Sequence, residues 1–228
     1  KVMVKKTQPQ QQEILDECKP QSFIDEEAEV KVSKNTLLLH SCCGPCSTAC
    51  IERLAGTYKI TVFFYNPNIT EKDEYDRRKE AQIKFIELYN KKLPKEDKIE
   101  FIEGEYLPEE FYTAAGGLEA EPEGGARCTE CFRLRLERTA QAALRTGNTI
   151  FGTTLTVSPH KNYSLVSAIG CELANKYHIE FLDIDFKKKA GFQRSIQMSK
   201  EYELYRQNYC GCVFSKNQRD REIALKNQ

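Results

Sequence analysis

Apolar residues fall along the chain in short blocks separated by amphipathic stretches. Residues 36–40 (TLLLH) are a compact apolar run, which predicts a buried strand. The run leads straight into SCCGPCSTACIERLAG, where Pro45 suits the first turn of a helix that closes at Gly56. Residues 58–65 (YKITVFFY) are rich in β-branched and aromatic side chains and predict a second strand; Asn66-Pro67-Asn68 marks a turn. A long helix is predicted over 72–90, with Tyr75, Ile83, Ile86 and Leu88 on its apolar side, then a short strand over 98–103. The Gly- and Glu-rich stretch 116–125 reads as a loop. A helix over 129–145 follows, with Leu134, Ala140, Ala143 and Leu144 inward. After it come a strand over 149–153, the loop TLTVSPHK, a helix over 163–177, a strand over 179–184, a helix over 193–205 and the tail NYCGCVFS. This alternation predicts an α/β fold, a doubly wound parallel sheet covered by helices on both faces. No repeat or linker divides it. Residues 1–35 are polar, with QPQQQ near the start, and predict a flexible arm holding at most a short helix at EILDEC. Residues 36–228 predict a single α/β metal-binding catalytic domain.

Composition narrows the function. The 228 residues carry 34 Lys+Arg against 34 Asp+Glu, so a global basic field is excluded and any nucleic-acid contact must use a local patch. The 40% hydrophobic content excludes wholesale disorder. No apolar run approaches the ~20 residues of a membrane span. No apolar core of a secretory signal stands at the start, so a cytoplasmic protein is expected. Ten cysteines change the picture more: Cys18, Cys42, Cys43, Cys46, Cys50, Cys128, Cys131, Cys171, Cys210 and Cys212. They are bunched rather than spread, which points to metal or redox chemistry instead of a disulfide framework.

In open parallel sheets ligands gather outside the carboxyl ends of the strands. Cys42, Cys43 and Cys46 follow the first predicted strand, Cys128-x-x-Cys131 opens a helix, and Cys210 and Cys212 lie in the tail. Seven thiols can therefore meet at one sheet edge. The helix N-terminus, with Arg127 and Arg133, is expected to lower the pKa of the Cys128 and Cys131 thiols. By spacing alone, two C-x-x-C hooks suit structural zinc and an iron–sulfur cluster equally; the surplus thiols favour a redox centre. A thioredoxin-like dithiol oxidoreductase using Cys43 and Cys46 competes. The chain has no Trp, however, whereas thioredoxins usually place one before the motif, and that reading leaves Cys128, Cys131, Cys210 and Cys212 unexplained. Cys18, Cys50 and Cys171 are expected to pack or to have no role. Neither a G-x-G-x-x-G after a strand nor a G-x-x-x-x-G-K-[ST] loop occurs, so no ATP use is expected.

Several blocks recur in a familiar order: His40-Ser41-Cys42-Cys43-Gly44-Pro45-Cys46, Tyr65-Asn66-Pro67-Asn68-Ile69, and Glu74-Tyr75 through Arg78. They continue with Arg127-Cys128-x-x-Cys131, Arg133-Leu134, Thr153-Thr154-Leu155, Ser158-Pro159-His160-Lys161, Gly191-Phe192 and Tyr205-Arg206-Gln207-x-Tyr209-Cys210-Gly211-Cys212. Together, over roughly residues 36 to 217, the chain resembles the QueH-type epoxyqueuosine reductases. The resemblance implies reduction of the cyclopentane epoxide of epoxyqueuosine to the alkene, at the wobble position of tRNA, the last step of queuosine biosynthesis, without cobalamin. It also implies an adenine nucleotide α-hydrolase (HUP-like), Rossmann-type fold and an active site pairing a [4Fe–4S] cluster with one mononuclear iron. On that basis Cys43, Cys128, Cys131 and Cys212 are expected to hold the cluster and Cys42, Cys46 and Cys210 the iron, the partition between neighbours being interchangeable. An external low-potential electron donor is then required. The rival to this reading is the dithiol enzyme or a zinc-stabilised RNA-binding domain.

Around these thiols, Cys42, Cys46, Tyr65 and His160 are the expected catalytic residues. His40, Lys161, Tyr163 and Tyr209 lie near predicted strand ends, where His40 serves a hydrogen-bonded structural role equally well. RNA is expected to contact Arg133, Lys161, Lys187, Lys188, Arg194 and Arg206, with Tyr65 or Phe192 available to stack on a splayed base.

Overall fold

The computed structural model describes residues 35–226. The arm's expected helix at EILDEC and Cys18 lie outside them. Among the described residues, five strands and seven α-helices alternate. They are β1 (Thr36–His40), α1 (Gly44–Leu54), β2 (Lys59–Phe64), α2 (Lys72–Asn90), β3 (Glu100–Glu103), α3 (Pro108–Ala115), α4 (Ala126–Arg145), β4 (Ile150–Thr153), α5 (Tyr163–Tyr177), β5 (Glu180–Phe181), α6 (Gly191–Glu201) and α7 (Val213–Lys226). The strands form one parallel sheet in the order β3-β2-β1-β4-β5. The chain thus winds outward from β1 to one edge, then returns to β4 and winds to the other. The doubly wound parallel sheet expected from the alternation is what forms, and it is consistent with the HUP-like, Rossmann-type fold that the resemblance implied.

Side chains alternate across β1, so Leu37 and Leu39 serve one core and Leu38 the other. On the first face Ile51 and Leu54 of α1, Phe85 and Ile86 of α2, and Met198 of α6 pack against Ile60, Val62 and Ile150. On the second, Phe132, Leu136, Ala140 and Ala143 of α4, with Val166, Ile169 and Leu173 of α5, cover Phe63, Phe151 and Phe181. Covering both faces explains why the strands read as continuous apolar runs rather than alternating ones.

Several boundaries moved. Helix α1 ends at Leu54, two residues before Gly56, and α4 begins at Ala126 rather than 129. On α4, Leu144 points to solvent (49% exposed), while Phe132, Leu136 and the charged Arg135 are buried. The strand expected over 179–184 pairs only at Glu180–Phe181. Two helices went unread, α3 and α7; the supposed tail after Cys212 is helical.

Candidate metal and thiol centre

β1 and β4 are neighbours from which the chain winds in opposite directions, so a crevice opens beyond their carboxyl ends. A cavity of about 230 Å³ lies there, walled by Cys42 and Cys46 after β1, Thr154 to Lys161 after β4, and Arg206 to Cys210 before α7.

The β1–α1 junction sets the first three thiols. Ser41 N donates to Phe63 O at 2.9 Å, extending the sheet by one residue, and Asn66 Nδ2 donates to Ser41 O at 2.8 Å. Gly44 then opens α1, jammed against α2: a Cβ there would lie 2.5 Å from Ala81 O. The outcome is a group in which Cys42, Cys43 and Cys46 offer Sγ atoms all within 4.8 Å of one another. Beneath it His40 is fully buried. Its Nε2 donates to Tyr65 O (3.1 Å), so its Nδ1, 2.9 Å from Thr153 Oγ1, accepts the threonine hydroxyl. Burial pulls its pKa down to about 3. The imidazole is a neutral brace between strands, not a proton donor.

Cys210 and Cys212 arrive on a loop tied down by one guanidinium. Arg78 Nη1 donates to Cys210 O (2.9 Å) and Nη2 to Tyr209 O (3.1 Å), while Nε donates to Glu74 Oε1 (2.7 Å). Both Arg78 and Glu74 are 1% exposed. Gly211, at φ 121°, lets the loop turn against Ile69, and its carbonyl accepts Thr70 N at 3.2 Å.

Cys128 and Cys131 stand in the first turns of α4. The expected lowering of their pKa by the helix end is not what Cys131 shows: burial pushes it up to about 11. Burial likewise pushes Cys43 and Cys212 up to about 12. Cys42 runs the other way, lowered because Cys43 and Cys46 hydrogen-bond to it. The expected helper cations are also turned elsewhere: Arg127 donates to the carbonyls of Leu118 and Glu119, and Arg133 pairs with Glu172. The cations that do face thiols are Arg135, Lys161 and Arg78, which pattern alone had not singled out as thiol partners. Arg135, 1% exposed, has only long contacts to Cys131 O and Asn66 Oδ1 (3.4 Å each). The groups that raise its pKa are the thiols of Cys131, Cys210, Cys42 and Cys128. Lys161 Nζ lies 3.0 Å from Cys210 Sγ, and Gln207 Nε2 lies 2.8 Å from Cys43 Sγ.

The expected site residues thus separate. Cys42, Cys46, Cys210, His160, Lys161, Arg206 and Phe192 line the cavity. Tyr65 does not: its hydroxyl donates to Glu110 on α3, in a different groove with Arg138. As β2 ends, Tyr65 falls on the α4 face with Phe63 and is carried away from the thiols. Of the expected RNA contacts, Arg133 is held by Glu172, and Arg194 makes a two-pronged pair with Glu52 (2.8 and 2.7 Å). Lys187 Nζ donates to Lys161 O, Arg206 Nη1 reaches Ser199 Oγ at 3.0 Å, and Lys188 is exposed. Lys161, half-buried against Cys210, is a thiol partner first.

A doubly wound parallel sheet whose switch-point crevice is walled by thiols and buried cations defines an α/β protein with a thiol-centred site. The comparisons narrow that class. A family profile described as "Epoxyqueuosine reductase QueH" matches residues 37–218. A protein of that name from Staphylococcus epidermidis is 46% identical over 181 residues, 78% of this chain and 75% of its own. One from Streptococcus pyogenes is 44% identical over 180 residues (79% and 70%), and one from Thermotoga maritima 38% over 197 residues (84% and 97%). The chain belongs to the epoxyqueuosine reductase QueH family, a family of oxidoreductases. Among the described residues no helix is long and apolar enough to cross a membrane.

Proposed function

We propose that this chain reduces the epoxide of epoxyqueuosine in tRNA to give queuosine. We further propose that its seven converging thiols hold a [4Fe–4S] cluster and one further iron within a single α/β domain from residue 36 onward. The observation that carries the reading is how burial divides those thiols. Cys43, Cys128, Cys131 and Cys212 are buried, whereas Cys42, Cys46 and Cys210 are half-buried and line the cavity. Four sealed thiols suit an electron-carrying cluster, and three facing a cavity suit a metal with an open position. The three Sγ atoms that lie within 4.8 Å of one another, those of Cys42, Cys43 and Cys46, span that division and would set the two metal sites side by side, and a buried Arg135 with no carboxylate partner among the described residues would balance an anionic thiolate centre. Bound there, the metals supply low-potential electrons and a Lewis acid for the epoxide oxygen.

The reaction consumes two electrons and two protons, and oxygen leaves as water. An external low-potential donor supplies the electrons, and no ATP is needed. The chain's own residues hold and orient. Gln207 and Lys161 donate to the Cys43 and Cys210 sulfurs, and Arg78 fixes the loop bearing Cys210. His160, exposed on the cavity wall, moves protons from solvent toward the departing oxygen. Arg206 and Phe192 on the same wall, with Lys187 and Lys188 nearby, meet the RNA, which splays its wobble base into the cavity. A tRNA substrate places this work in the cytoplasm.

The test is iron and acid-labile sulfide per chain in protein purified without oxygen, then turnover on epoxyqueuosine-containing tRNA. About four sulfides and about five irons, with conversion to queuosine, are expected. A colourless protein after anaerobic reconstitution would move the function to zinc or Cys43/Cys46 dithiol chemistry.

A further inference from the structure

Two residues of the cavity wall each carry a buried polar atom with no partner among the described residues and no role above. Thr154 is fully buried just past the end of β4, yet its Oγ1 meets no donor or acceptor among the described residues; the same is true of Gln207 Oε1. Both residues line the cavity that Cys42, Cys46 and Cys210 line. Thr154 occupies the N-cap of the short 3-10 turn Leu155–Val157. A threonine there commonly turns its hydroxyl onto the next turn's N–H groups, but this one makes no such bond. Gln207 is held by its other end, Nε2 on Cys43 Sγ, which fixes Oε1 as a free acceptor. A buried polar atom without a protein partner costs stability, so two of them on one cavity wall mark where a ligand supplies the missing bonds.

We propose that Thr154 Oγ1 and Gln207 Oε1 form a hydrogen-bonding pair that reads hydroxyl groups on the carbocycle bearing the epoxide. This rests on the function proposed above and adds the groups that recognise its substrate. A carbonyl oxygen only accepts, and a threonine hydroxyl both accepts and donates. Together they suit a ligand presenting neighbouring hydroxyls, and they reject a bare hydrocarbon ring, which would leave both unpaired. Such a site discriminates strongly, because the wrong ligand strands buried polar atoms.

The test is Thr154→Val, which keeps the volume and removes only the hydroxyl, read on the metal-loaded enzyme with epoxyqueuosine-containing tRNA. KM is expected to rise about tenfold or more with kcat little changed. Iron content, visible spectrum and affinity for the same tRNA carrying unmodified guanine at the wobble position are expected to stay at wild-type values. The metal-free variant is expected to melt no lower than wild type, since the lost hydroxyl had no partner in the fold. Thr154→Ser is expected to restore KM. A wild-type KM in Thr154→Val would overturn the inference. So would a rise that Thr154→Ser fails to reverse. A wild-type enzyme loaded with cluster and iron that leaves the tRNA unreduced would instead overturn the proposed function, and the recognition pair with it.

Discussion

Two segments deliver thiols to the same cavity by different physics. The β1–α1 junction is placed by the sheet. His40 braces β1 to β4 and to the end of β2, and Gly44 lets α1 touch the α2 backbone, so Cys42, Cys43 and Cys46 have positions inherited from the core. The loop bearing Cys210 and Cys212 belongs to no strand. Its place near Cys210 depends on Arg78 and its partner Glu74, both removed from water. The difference teaches that half a site can be rigid by topology while the other half is held by a few side-chain and loop contacts, a buried ion pair among them.

Breaking that pair is the largest effect expected. Arg78→Leu takes away the partner of Glu74 Oε1, leaving Arg77 and Tyr205 on Oε2, and uncaps the carbonyls of Tyr209 and Cys210; a loss of about 3–5 kcal/mol is expected in urea unfolding. In the metal-free protein Cys210 and Cys212 should gain fast reactivity toward a thiol reagent while Cys43 keeps wild-type protection. Equal gains at both segments would erase the distinction.

The junction is broken by acid. Because the folded-state pKa of His40 lies near 3, below its ordinary value of 6.5, the unfolded chain binds its proton more readily. The contribution is complete above pH 6.5 and is lost as pH falls toward 3, roughly 3 kcal/mol by pH 4. His40→Asn should flatten that part of the stability–pH curve; a curve as steep as wild type would remove His40 as the brace.

A smaller effect sharpens the contrast. In Gly44→Ala the new Cβ meets backbone, which cannot swing aside, so about 1–3 kcal/mol should be lost. The loss should come with altered spacing of the junction thiols, read as weaker metal uptake, and with Cys210 reactivity unchanged.

The sequence made the sheet legible and left the tether obscure. Residues 72–90 and 163–177 carry enough amphipathic signal to bound their helices as observed, and the apolar run at 36–40 is β1. Helix α7 was hidden because it buries almost nothing: Ser215 alone is buried, while Ile223 and Leu225 face solvent, so no apolar stripe marks it. On helix α4 the expected inward side holds at Ala140, Ala143 and the partly buried Leu134 and fails at Leu144, and it omits Arg135, a buried charge turned toward thiols, which a hydrophobicity pattern scores as surface. Tyr65 failed for a related reason. Its partner Glu110 sits on α3, an eight-residue helix not anticipated from its composition. The thiols themselves were legible by type and bunching. Arg78, which holds two of them, was visible only as part of a motif, since no local pattern says that a guanidinium will cap carbonyls 131 and 132 positions away.

The spread of those thiols also sets a clock. A ribosome exposes Cys42 first and Cys212 170 residues later. At typical elongation rates that interval is on the order of 10 to 30 s. Throughout it the nascent chain offers Cys42, Cys43 and Cys46 without the loop that completes the cavity. Stable metal loading would therefore wait for the segment that bears Cys210 and Cys212. Emergence of that last segment, rather than of the first cysteine motif, is the earliest moment at which metal delivery would meet all seven thiols.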